Sequence, residues 1–61
     1  MNWESLPVLL VPDEVAEILR ITPKYVVDLC RAGVIAAVGL GPRGEWRIPR
    51  TSVQKFVQAA G

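Results

Sequence analysis

The chain has no histidine and only one cysteine, Cys30. Without histidine it lacks the commonest general base near neutral pH and the commonest metal ligand. One cysteine cannot form an internal disulfide. A disulfide-stapled scaffold is therefore excluded, and a reducing, cytoplasmic environment is expected. Long hydrophobic runs are also missing: the longest, Pro7 to Pro12, is far too short to span a bilayer. The opening Met1-Asn2-Trp3-Glu4 lacks the basic start of a secretory signal. There is no internal repeat, low-complexity stretch or linker. The 61 residues are expected to form one domain, 1–61, with residues 1–9 as an N-terminal arm. A chain this short buries only about 60% of its unfolded surface, so a marginal stability is expected. No catalytic residues, cofactor, metal or membrane are predicted, and the chain does not read as an enzyme.

Net charge is only +1, but the charges are segregated. Met1 to Glu17 carries four acids (Glu4, Asp13, Glu14, Glu17) and no base, whereas Ile18 onward carries seven bases against two acids. The C-terminal two-thirds can therefore present a basic face. Hydrophobic residues make up 51% of the chain, which is high for this length and predicts some exposed apolar surface of the kind that marks a partner.

Val15, Ile18 and Leu19 recur at helical spacing and place a first helix over Pro12 to Arg20. Pro12 suits its first position and Asp13 and Glu14 its positive end, although Val11 offers no capping oxygen. Thr22-Pro23 is a second start, separated from the first helix only by Arg20 and Ile21. Val26, Leu29 and Cys30 form its apolar stripe, and Gly33 its stop. Two helices joined by so tight a turn form a helix-turn-helix. Val34 to Val38 then reads as a strand and Gly39 to Gly44 as a turn. In Glu45 to Ile48, Trp46 and Ile48 alternate with polar neighbours as in a half-buried strand, and Pro49 ends it. Thr51 and Gln54 have capping-box spacing ahead of a third stripe, Val53, Phe56, Val57 and Ala60. The expected fold class is α+β, a small winged helix-turn-helix with the order helix, helix, strand, strand, helix. The segment Trp3 to Leu10 is expected as a short strand or as an arm over the core.

These residues carry a resemblance. Leu10, Pro12, Glu14, Val15, Ala16, Glu17, Leu19, Val26, Leu29 and Gly33 are similar in identity and spacing to the opening of excisionase-type, MerR-like helix-turn-helix proteins. Trp46-Arg47-Ile48-Pro49, followed by a short helix through Phe56, resembles that family's wing strand and closing helix. The chain departs from the pattern at Val11, where a capping threonine is frequent, and at Arg20, where the turn glycine is usual. Pro23 and Asp28 stand where basic residues are common. The resemblance implies a DNA-binding protein of phage-type DNA recombination: a recombination directionality factor that bends DNA near attachment sites and assists an integrase.

In a helix-turn-helix the second helix lies in the major groove. At 100° per residue Lys24, Asp28 and Arg31 face away from the core stripe, with Tyr25 and Val27 on the flanks. Lys24 and Arg31 can donate to guanine or phosphate, Asp28 can accept from cytosine, and Val27 can meet a thymine methyl. The plainer alternative is that Asp28 pairs with Lys24 or Arg31 on a solvated face. In the wing, Arg43 at the tip and Arg47 opposite Trp46 are candidate backbone or minor-groove contacts, as is Arg50 at the start of the last helix. Trp46 shares a strand face with Ile48 and is assigned to the core, and Cys30 likewise.

Gly39-Leu40-Gly41-Pro42-Arg43-Gly44 matches G-x-G-x-x-G, but a dinucleotide site needs a helix to open there, and an extended segment follows instead. Double-stranded DNA is the expected partner, with an integrase and cooperative self-association on DNA beside it. The alternative of the same fold is a small phage or plasmid transcriptional regulator. A MerR-type effector sensor would need a coiled coil and a ligand domain, which these residues do not supply. The alternative of another class is a protein-interaction module without DNA binding, for which Asp28, Pro23 and the low net charge speak.

Overall fold

The computed structural model describes residues 2–43 and 45–60. A 3-10 turn, Trp3–Ser5, leads into strand β1 (Leu9–Leu10), helix α1 (Pro12–Leu19) and helix α2 (Pro23–Arg31). Strands β2 (Val38–Gly39) and β3 (Trp46–Pro49) follow, then helix α3 (Arg50–Ala60). The fold is a small α+β winged helix-turn-helix.

Local chemistry sets the helix ends. At the start of α1 the Glu14 carboxylate accepts the Val11 N–H at 3.0 Å; valine has no acceptor to return the bond, so half of a capping box is present. Thr22 Oγ1 accepts the Tyr25 N–H at 3.2 Å and caps α2. Beyond α2, Gly33 takes φ +76°. The N–H groups of Gly33 and Val34 then return to the carbonyls of Cys30 and Leu29 at 3.1 and 3.0 Å. This is a Schellman closure of the helix end.

The sheet has the order β1-β3-β2 with antiparallel neighbours. Leu9 and Leu10 pair with Pro49 and Ile48, and Val38 and Gly39 with Arg47 and Trp46. The segment before Pro12 thus supplies an edge strand, and Leu9 belongs to the sheet. Two expectations are corrected. The strand proposed for Val34 to Val38 begins only at Val38, because the Val34 and Ile35 N–H groups both turn back to the Leu29 carbonyl. Thr51 is no cap: α3 opens at Arg50, straight out of β3, and the Arg50 N–H finds its acceptor in the Val8 carbonyl at 2.9 Å.

The core draws on every layer: Leu10, Val15, Ala16, Val26, Cys30, Ile35, Ile48 and Val53 are buried. Trp3, Leu6, Ile18, Leu19, Ile21, Leu29, Trp46 and Phe56 pack around them. Each large side chain removed from water contributes about 1.5–3 kcal/mol. Because α1 packs along one side of α2, the face carrying Lys24, Asp28 and Arg31 is left to solvent.

Candidate nucleic-acid interface

On α2 the periodicity resolves into two faces. Val26 and Cys30 are buried and Leu29 packs against the core. Lys24, Asp28 and Arg31 are exposed, at i, i+4 and i+7 of one stripe. Tyr25 is 52% exposed on one flank and Val27 half-buried on the other. The stripe offers two cationic donors around one carboxylate acceptor, a pattern able to engage both phosphates and base edges. Burial raises the Cys30 thiol above its ordinary pKa, as expected of a packing residue rather than a reactive thiolate.

The wing is the β2–β3 hairpin. Its loop is closed by the Leu40 N–H donating to the Glu45 carbonyl at 2.6 Å, with Gly41 at φ +93°. Gly44, which completes the glycine pattern of this turn, lies outside the described residues. Arg43 stands exposed in the turn. Strand β3 and not a helix follows the loop, so the geometry of a dinucleotide site is missing here. Arg47 is half-buried, and its Nη1 donates to the Trp46 carbonyl at 3.1 Å.

Trp46 lies over its cross-strand partner Gly39, where an added Cβ would come within 3.6 Å of Cζ3. Its indole packs on the core, and Nε1 is buried with no hydrogen-bond partner among the described residues. Arg50 is half-buried as well. Its Nη1 donates to the carbonyls of Leu6 at 2.8 Å and Glu4 at 3.3 Å, holding the end of the Trp3–Ser5 turn. The eight candidates therefore divide. Lys24, Tyr25, Asp28, Arg31 and Arg43 are exposed, Val27 flanks them, and Arg47 and Arg50 also hold the protein's own backbone. Arg20, exposed in the turn between the helices, was not among them. Its signal in the sequence was a base standing in the position that ends a helix.

Among the described residues no three carboxylate or thiol side chains converge as a metal site. No described helix is long and apolar enough to cross a membrane. An open groove of about 540 Å³ between residues 33–36 and α3 is lined by Val34, Lys55, Phe56 and Ala59, and none of the eight candidates borders it.

A family model described as a helix-turn-helix domain matches residues 9–61. No curated protein and no solved structure gives a match. The matched stretch opens on β1 and takes in both helices of the turn, the wing and the closing helix. The chain thus belongs to the helix-turn-helix domain family, whose fold is a DNA-binding one.

Proposed function

We propose that the protein is an excisionase-type recombination directionality factor of phage-type recombination, which binds and bends DNA near attachment sites and assists an integrase. The observation that carries this reading is the distribution of exposed cations over two separate elements: Lys24 and Arg31 on α2, and Arg43 at the wing tip. With α2 in the major groove, a cation on the wing adds a second contact at the neighbouring backbone or minor groove, and added contacts of this kind offset the elastic cost of a bend. A single module of this kind buries only about 600–1,000 Å² on DNA. Useful affinity then calls for several copies side by side or for a protein partner. The exposed Val8 and Leu9 at one edge of the sheet and Val38 and Leu40 beside the other supply apolar surface for such contacts.

Asp28 favours a second reading, a small phage or plasmid transcriptional regulator. An exposed carboxylate in the middle of the α2 stripe repels phosphate and suits selection of a particular base. Footprinting combined with a circular-permutation bending assay separates the readings. A bent footprint beside integrase sites supports a directionality factor, and an unbent promoter footprint supports a regulator. No footprint on either leaves a module that acts on proteins and overturns both.

A further inference from the structure

Arg20 is the one non-glycine residue among the described ones with positive φ, at φ 58° and ψ 44°. It ends α1, and its left-handed turn lets the Ile21 N–H return to the Ala16 carbonyl at 3.0 Å. The end of α2 uses the same device, with Gly33 in the left-handed position. One motif thus closes both helices, once with the residue that adopts it freely and once with a residue that is strained there. The Arg20 side chain is exposed and, among the described residues, makes no hydrogen bond, whereas Arg47 and Arg50 donate to backbone carbonyls. A cation does complement the negative end of α1, but one placed within the last turn would do so without a left-handed backbone. Strain kept where glycine would relax it points to a use outside the folded chain.

The position of Arg20 says what that use is. It lies two residues before Thr22, the cap of α2. The N-terminal residues of the second helix are those that enter the groove, so a long cationic side chain just before them stands at the groove's edge, where the phosphates run. We propose that Arg20 is a phosphate-binding residue of the DNA interface. Its guanidinium grips a backbone phosphate beside the groove that α2 enters, by paired N–H donation, and the strained turn is retained for that contact. The proposal rests on the chain's DNA-binding role and is independent of which DNA process it serves.

A phosphate contact is blind to sequence, so a short mixed-sequence duplex is a sufficient probe. Arg20→Gly should weaken binding about eightfold near 0.1 M salt and reduce the slope of log affinity against log salt by about 0.9. The same variant should melt higher, by about 4–8 °C, because the strain is gone. Arg20→Lys should keep the slope. Anisotropy titrations over a salt series and thermal melts read all three. An unchanged affinity and slope in Arg20→Gly overturns the assignment, and so does a loss of affinity accompanied by a lower melting temperature. If the wild-type protein fails to bind the duplex even at low salt, the DNA-binding reading falls and the proposal with it.

Discussion

Arg50 and Leu6 are joined by a 2.8 Å hydrogen bond across 44 positions of the chain, the guanidinium donating to the backbone carbonyl. With the second bond to the Glu4 carbonyl and the Arg50 N–H on Val8, it pins the N-terminal segment to the point where β3 becomes α3. Hydrogen bonds from a charged donor contribute more than neutral ones, but this donor is partly open to water. Arg50→Ala should therefore cost about 1–2 kcal/mol. Hydrogen exchange at the amides of residues 3–8 should accelerate in the same variant. If Arg50→Ala leaves both melting and exchange untouched and lowers only DNA affinity, the arginine serves phosphate alone.

Trp46 is a structural residue by the same kind of argument. Truncation to alanine uncovers Gly39 and the edge of the core, and should cost about 3–5 kcal/mol, enough to threaten a domain of this size. Trp46→Phe should be much milder, since it keeps an aromatic ring over Gly39 and removes a buried N–H that has no partner among the described residues. Chemical denaturation ranks the variants. Should the alanine variant melt like the wild type yet bind DNA poorly, Trp46 is a contact residue instead.

Arg43, exposed in the wing turn, is expected to meet the backbone without regard to sequence. Arg43→Ala should weaken binding equally on cognate and random duplexes and lower the salt slope by about one unit. A slope equal to that of the wild type takes the wing tip out of the interface.

Cooperative loading is a prediction from the small cationic surface and the apolar edges of the sheet, where Val8 is 67% and Val38 54% exposed. If about four phosphates are met, the salt slope per protomer is near −3.6, and binding to an isolated site is weak at physiological salt. Each tenfold gain from a neighbouring protomer requires only about 1.4 kcal/mol. Mobility shifts on duplexes carrying one, two and three sites should show affinity per site rising with the number of sites. Charged substitutions at Val8 or Val38 should abolish that rise. Equal affinity per site on all three duplexes rules out cooperation and favours a regulator acting as a single unit.

The helix-turn-helix was legible in the sequence because its determinants are local. Thr22-Pro23 starts a helix through bonds that reach only three residues ahead, Gly33 ends it, and 100° per residue separates Val26 and Cys30 from Lys24, Asp28 and Arg31 without reference to the rest of the chain. Tertiary structure decided the sheet and the fate of several arginines. Two-residue strands at Leu9–Leu10 and Val38–Gly39 are too short to show an alternating pattern, so their membership depends on β3 as a partner. The stretch after Gly33 has the composition of a strand, but the Val34 and Ile35 amides are taken by the end of α2 before a ladder can form. Arg50 looked like a surface cation because the carbonyls that hold it lie more than forty residues away, a distance over which no local pattern signals a hydrogen bond. Arg20 is the reverse case. Its identity was plain, but that an arginine turns left-handed there emerges only when α1 must end at Leu19 and α2 must begin at Pro23 against a shared core.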